Sequence, residues 1–226
     1  MIKISNREII DIVRYSDSKM IFAEKPMFGD IKNCKASYFI LNFETGEKEA
    51  VTTKVYLLKK FGFAFEKICS KITDFTQCDT VVLKNKDVLV LFPDGQAGLF
   101  NREGEMIWNK KLTYKNMPVM SLAEDGDYFW CVCKDGDCAI RYNSDNFNID
   151  IRIGAKGKGT FNSPAFLSSD RDNIYVCCAD RVRKISKDNL TVTDIPGLYD
   201  VPKKFYKVGR YSIIGKADGT YIDKDE

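Results

Sequence analysis

The sequence predicts an all-β fold: a five-bladed β-propeller closed by its own N-terminal strand. Three observations predict it. The stretch Pro164–Val192 reads as four short strands, Ala165–Ser169, Asn173–Cys178, Arg181–Ile185 and Leu190–Asp194, rich in Val, Ile, Tyr and Cys and separated by Asp, Asn and Ser turns. Units of the same order recur at residues 118–152 and 78–109, each strand, polar turn, strand, Asp-containing turn, strand, polar turn, strand. The aspartates of the second turns, Asp94, Asp135, Asp180 and Asp218, lie 41, 45 and 38 residues apart, a propeller period and not that of helical repeats. A four-stranded meander with two apolar faces buries neither alone, so it needs copies of itself on both sides.

At this spacing the 226 residues hold five blades, read as one domain over 1–226. Blade one begins near Ile10, with strands over Asp11–Ser16, Met20–Ala23, Tyr38–Asn42 and Glu49–Thr52. Its second and third strands are separated by an insertion, Glu24–Ala36, in a connection that is short elsewhere; long loops on a rigid scaffold are where binding groups gather. A second insertion, Val55–Ile72, places Leu57, Leu58, Phe61, Phe65 and Ile68 at helical spacing. This face either covers a gap between blades or forms an exposed apolar docking surface. Blade five offers only three strands, Phe205–Gly209, Tyr211–Gly215 and Thr220–Asp223, and the alternating Met1–Ser5 is expected to supply the fourth.

Composition excludes several function classes. The chain is 44% hydrophobic and 30% charged, with a net charge of +3, so composition does not argue for nucleic acid. No window approaches a membrane span, and MIKISNREIIDIV lacks the apolar core of a signal peptide. The expected location is cytoplasmic, the expected state a monomer, and the eight cysteines are expected to be reduced and mostly buried. There is no histidine, which removes the commonest general base, the commonest metal ligand and any Ser-His-Asp or Cys-His arrangement.

Gly159-Thr160-Phe161-Asn162-Ser163-Pro164, Asn173-Ile174-Tyr175-Val176 and Arg181-Val182-Arg183-Lys184-Ile185 together resemble the NHL repeat, G-x-F-x-x-P, I-Y-V and an arginine-bearing strand. The Asn of the usual Asp-x-x-Asn before the arginine is absent. Gly98-Leu99-Phe100 through Glu105-Met106-Ile107-Trp108 is similar to the quinoprotein-like repeat. The resemblance implies the fold and, since such propellers mostly bind protein, RNA or small ligands and a minority are enzymes, it transfers no single function.

In propeller connectivity the second-to-third-strand turns and the blade-to-blade links emerge on one face. That face collects the links Asn109–Pro118, Ile153–Pro164 and Pro196–Lys204, with Lys110, Lys111, Lys115, Lys156, Lys158, Lys203 and Lys204. It reads as a basic surface for a protein or polyanionic partner, with nucleic acid a weaker version of the same idea. Ala155–Gly159 combines glycines with two lysines, as an anion nest would, or is a solvated loop. Trp108, Phe161, Tyr199 and Phe28 stand in or beside these loops as candidate contacts, whereas Trp130 lies inside a strand. Arg181 and Arg183 alternate on one strand and either line the channel, bracket a carboxylate or serve the blade itself. The four aspartates read first as turn formers.

Two chemical alternatives remain. Cys131, Cys133 and Cys138, with Cys177 or Cys178 from the next blade, would make a tetrahedral zinc site, though C-x-C-x4-C lacks the usual knuckle spacing. Asp11, Asp74 and Asp79 start inner strands and are the carboxylates a propeller glycosidase or hydrolase would need, but the later blades begin with Val119, Ala165 and Phe205. The residues therefore favour a non-catalytic binding or scaffold module without cofactor or metal, engaging its partner through Lys110, Lys111, Lys156, Lys158, Phe161, Arg181, Arg183 and Trp108.

Overall fold

The computed structural model describes residues 1–25, 36–62, 65–70, 78–198 and 201–225, with only the backbone of Phe65. Five antiparallel four-stranded sheets form the blades. Blade one holds β2 (Ile9–Arg14), β3 (Lys19–Glu24), β4 (Ser37–Asn42) and β5 (Lys48–Val51), preceded by β1 (Ile2–Ser5). Helices α1 (Thr53–Phe61) and α2 (Phe65–Cys69) lead to blade two, β6 (Asp79–Val82), β7 (Val88–Leu91), β8 (Gln96–Phe100) and β9 (Met106–Lys111). A small hairpin, β10 (Thr113–Tyr114) and β11 (Met117–Pro118), then precedes blade three, β12 (Met120–Asp125), β13 (Tyr128–Cys133), β14 (Cys138–Asn143) and β15 (Ile149–Ile153). Blade four is β16 (Phe166–Ser169), β17 (Asn173–Cys177), β18 (Val182–Ser186) and β19 (Val192–Asp194). Blade five is β20 (Lys204–Val208), β21 (Tyr211–Lys216) and β22 (Gly219–Lys224), and its fourth strand is β1.

Period-two alternation sends successive side chains to opposite faces of each blade, and both faces are covered. Leu89, Leu91, Leu99, Phe129, Cys131 and Ile140 fill the gap between blades two and three. Trp130, Val132, Leu167, Ile174 and Val176 fill the next. The seam that closes the ring joins Phe166 and Tyr175 to Phe205 and Ile213, and these to Ile9, Met20 and Phe22 of blade one. Trp130 is wholly buried and donates its indole N–H to Asp125 at 2.8 Å, a packing role.

The remaining gap, between blades one and two, is filled by helix. Thr52 caps α1 by accepting from the Val55 N–H at 3.4 Å, and Gly62 ends it at φ +63°. Tyr56, Leu57, Phe61 and Ile68 pack against Ile21, Ile40, Val88 and Phe100. The expected helix is present, starting two residues earlier, and its apolar face is consumed inside the ring, which corrects the docking-surface alternative. Leu58 turns outward because it lies about 100° from Leu57 around the helix, and Tyr56 takes its place. The side chain of Phe65, most of the Glu24–Ala36 insertion with Phe28, and Asp74 and Tyr199 lie outside the described residues.

β1 pairs antiparallel with β22, Ile2 opposite Ile222 and Lys3 opposite Tyr221. Thr220 donates its hydroxyl to the Arg7 carbonyl at 2.9 Å, and Ile4 packs into the closing seam. Removal of Met1–Ser5 is expected to expose the β22 edge and lower the melting temperature by roughly 5–10 °C, about 2–4 °C per kcal/mol for a chain of this size. A thermal melt of the truncated protein beside the full chain checks it, and an unchanged melt would show that blade five holds with three strands.

Candidate functional site

The blade-to-blade links cross over the second-to-third-strand turns on one face. Gly95, at φ +83°, lies so close beneath the blade-two link that an added Cβ would stand 2.8 Å from the Leu112 carbonyl oxygen. Gly154, at φ +85°, has the same relation to the Asp137 carbonyl and to the Phe161 ring, each 2.7 Å from where a Cβ would be. Only glycine fits either place, in conformation or in space. The β10–β11 hairpin rises beside them, its tip made by Lys115 and Asn116, both in the left-handed region at φ 50° and 66°.

This region carries Lys110 and Lys111 at the end of β9, Lys115 on the hairpin tip, and Lys156 and Lys158 on the loop after β15, all exposed. The Arg152 guanidinium lies 6.0 Å from the centre of the Tyr114 ring and so ties the hairpin to the start of that loop. Among the described residues none of these five lysines forms an ion pair; Lys110 lies 6.0 Å from the Trp108 ring centre and Lys115 5.6 Å from that of Tyr114. The Lys158 N–H donates to the Ala155 carbonyl at 3.0 Å, closing a turn with Gly157 and Gly159 at positive φ.

Other expected contact residues serve the fold instead. Phe161 is 3% exposed, packed beneath the Gly154 loop against the core between blades three and four, so it is not a surface stacking group. Arg183 lies on β18 and Arg181 just before its first residue, both away from the channel. They bracket the carboxylate of Asp194 on β19 at 3.3 and 2.9 Å, Arg181 also pairing with Asp180 and Arg183 donating to the Thr160 carbonyl. Of the open readings, the carboxylate bracket is the one realised, inside the blade. Trp108 is half-buried, edge-on to Phe147 with ring centres 4.9 Å apart. Lys203 lies 3.4 Å from Glu8, and Lys204 turns into the channel. Asn109–Lys111 proves to be strand and not link, and Asp94 takes the turn role, accepting from the Gln96 N–H at 3.0 Å.

The central channel opens on the face away from the links into a cavity of about 590 Å³, lined by Asp11, Arg14, Asp79, Glu124 and Lys207 among others. A smaller cavity of about 250 Å³ opens on the link face beside Glu8, Asp79 and Lys204. The two carboxylates are committed. Asp11 accepts from the Tyr56 hydroxyl at 2.6 Å and from the Lys60 ammonium, both from α1. Asp79 accepts from the Ser121 hydroxyl at 2.6 Å and the Leu122 N–H at 3.2 Å, bridging blades two and three. Lys204 donates to the Ile10 carbonyl and stands 4.7 Å from the Phe166 ring centre. Burial alone would push the Asp11 carboxyl up; the Lys60 charge and the hydrogen bonds from Lys60 and Tyr56 outweigh it and hold the carboxyl below its ordinary value. Burial pulls the Lys204 ammonium down, against Asp79 and Asp11. Sequence patterning missed Tyr56, Lys60, Lys204 and Tyr206 as channel groups, since a helix that reaches an inner strand 45 residues earlier, and a strand of the last blade that meets Ile10 across the closed ring, leave no local signal.

Cys133 and Cys138 stand directly opposite each other on β13 and β14. Burial pushes the Cys138 thiol up to about 12. Cys177 packs in the seam of blades four, five and one, and Cys178 between blades three and four, so neither joins the core that holds Cys131, Cys133 and Cys138. The fourth thiol of the zinc alternative is not where it would be needed.

No family model matches the chain, and no curated protein matches it. Solved structures share the propeller fold. The extracellular domain of a protein described as a hybrid two-component system from B. thetaiotaomicron aligns over 96% of this chain and 28% of its own, at 13% identity and a TM-score of 0.52. Virginiamycin B lyase from Staphylococcus aureus aligns over 97% of this chain and 70% of its own, at 12% identity and a TM-score of 0.48. Hsv2 from Kluyveromyces lactis aligns over 65% and 44%, at 11% identity and a TM-score of 0.43, so this chain spans less than half of that one. At these identities the likeness shows the fold alone.

Two measurements test the assignments made here. Phe161→Ala is expected to cost about 3–5 kcal/mol of stability, the value of a core aromatic; a surface contact residue would leave the denaturant midpoint unmoved. Asp11, ionised more readily folded than unfolded, contributes stability that is complete above about pH 4 and is lost as pH falls below it. The melting temperature of Asp11→Asn should therefore fall less than that of the wild type between pH 4.5 and 2.5, and parallel curves would remove Asp11 from the acid response.

Proposed function

We propose that this propeller is a binding module that engages an anionic partner through the link-bearing face of blades two and three. The observation that carries this reading is the set of five exposed lysines, Lys110, Lys111, Lys115, Lys156 and Lys158, without an ion-pair partner among the described residues. Elsewhere a number of cations are matched, as in Lys84 with Asp127, Arg141 with Asp150 and Lys207 with Asp225, whereas here five lysines without ion pairs among the described residues stand on one strand end, one hairpin tip and one loop of the same face. Unmatched like charges on neighbouring links repel one another, and a negative partner relieves that repulsion while steering its own approach. The loops are held by the turns beneath them, so the charges are presented on a stiff support.

Protein acidic segments fit better than nucleic acid, because the aromatics here, Trp108 and Tyr114, are half-buried and covered by lysines instead of free to stack on bases. We place the module in a reducing compartment, where its buried thiols stay unpaired. A hydrolase working through Asp11 and Asp79 is the less supported reading, since each carboxylate already receives two donors.

Charge reversal at the face tests the proposal. A variant with Lys110, Lys111, Lys156 and Lys158 changed to Glu is compared with one carrying Glu at Lys86, Arg102, Arg171 and Lys224, exposed positions on the opposite face. Both change net charge equally. Retention on immobilised polyglutamate, and capture of partners from nuclease-treated cell extract, should be salt-sensitive, lost by the first variant and kept by the second. Equal loss in both would reduce the effect to overall charge.

A further inference from the structure

We propose that the outer edge of β9 receives an extended acidic segment of the partner as an added β-strand, so that the lysines read charge while the backbone of β9 supplies pairing. The inference rests on the binding-module reading above and specifies its mode of recognition.

Among the described residues each blade ends in an outer strand with one unpaired edge, and the five edges are not equivalent. β19 is three residues long, and β5 is four residues long without a large exposed apolar side chain. β15 carries Asp150 paired with Arg141 of its own blade, and β1 begins at the N-terminal residues that close the ring. β9 is six residues long, and Met106, Ile107, Asn109, Lys110 and Lys111 along it are exposed. Met106 is 40% exposed and Ile107 52%, two large apolar side chains side by side at one end of a strand whose other end is doubly charged.

The direction of the backbone groups follows from the ladder. The Leu112 N–H donates to the Gly95 carbonyl, and the Asn101 N–H donates to the Glu105 carbonyl, so Leu112 and Glu105 face β8. Alternation from Leu112 through the pairs Lys111–Gln96, Lys110–Ala97 and Asn109–Gly98 points the N–H and C=O of Lys111 and Asn109 away from β8. Alternation from Glu105 does the same for Met106, and the bulge at Ile107 and Trp108 absorbs the difference in count. Among the described residues no hydrogen bond reaches these outward groups.

Lysines and a bulge commonly guard an edge against a like strand. Here they also define what is admitted. At Asn109 and Lys111 the two outward N–H groups donate to, and the two outward C=O groups accept from, the backbone of a short extended segment, the bulge ends the regular pairing, and Lys110 and Lys111 select acidic side chains. An antiparallel segment meets the lysines with its N-terminal half and Met106 and Ile107 with its C-terminal half. The occupant is therefore an extended peptide with acidic residues followed by β-branched apolar ones.

A labelled, acetylated and amidated peptide, Asp-Glu-Asp-Thr-Val-Thr-Val, is the probe, with the same peptide N-methylated at alternate residues as its partner. Fluorescence anisotropy is measured with wild type, with Asn109→Pro, which removes an outward N–H and keeps every lysine, and with the four-lysine reversal. Thermal melts confirm folding, and the N-methylated probe tests pairing on the unaltered protein. The expected result is at least tenfold weaker binding with N-methylation and with Asn109→Pro, undiminished polyglutamate retention by Asn109→Pro, and slowed amide exchange over β9 on adding the probe. Unchanged binding of the N-methylated probe, with loss in the lysine variant, would overturn strand addition and leave the basic face standing. Undiminished binding of both ligands by the lysine variant would overturn both readings. A wild-type dimer that Asn109→Pro converts to monomer would assign the edge to a second copy and overturn the peptide.

Discussion

Every other feature of this molecule depends on one constraint: a four-stranded sheet with two apolar faces is not a stable object. Trp130 and Val132 point to one side of blade three, and Cys131 and Cys133 to the other, and both sets are buried. Each blade therefore requires a neighbour on either side, and the chain of requirements ends only when the ring closes. Closure falls on the last blade, where β1 crosses the first-to-last junction and Ile9, Phe22, Phe205 and Ile213 share one core. The two helices answer the same constraint differently, Tyr56, Leu57, Phe61 and Ile68 occupying the gap between blades one and two.

Closing the ring creates a centre in which the inner strands have no further strand to pair with. Polar side chains gather there because unsatisfied backbone and charge must be met inside a space largely withdrawn from water. Asp11 and Asp79 with Lys60 and Lys204 bring two negative and two positive charges to the channel, and Tyr56 and Ser121 complete the donors. The link from α1 to Asp11 ties the wedge helix to the innermost strand, so the channel network also fixes the spacing of blades one and two. The basic face lies on the outside of the same scaffold, held by links that Gly95 and Gly154 allow to press onto the turns below them.

Much of this was legible because it is periodic. Alternation within strands, Asp-containing turns and the recurrence of the unit report burial on two faces, and that is a local property of each stretch. The place of Met1–Ser5 was legible for the same reason, as an alternating strand beside a blade one strand short. The site was less so. Phe161 in a glycine-rich link looks like an exposed contact, but the loop folds back and seals it into a core. Arg181 and Arg183 look available until Asp194, one strand over, takes both.

The sequence by itself determined the blade and its repetition, because alternation and turn chemistry act over a few residues. Only the tertiary structure decided which charges are spent and which edge is bare. Lys204 is drawn into the channel while Lys110 and Lys111 stay outside, and β9 presents Met106, Asn109 and Lys111 along an unpaired edge. Those outcomes follow from contacts between residues far apart in the chain, Asp11 with Lys60 and Ile10 with Lys204, and from the phase of a ladder that a single bulge shifts. Neither leaves a trace in composition or spacing, since the physical quantity at stake is the distance between partners that only closure of the ring brings together.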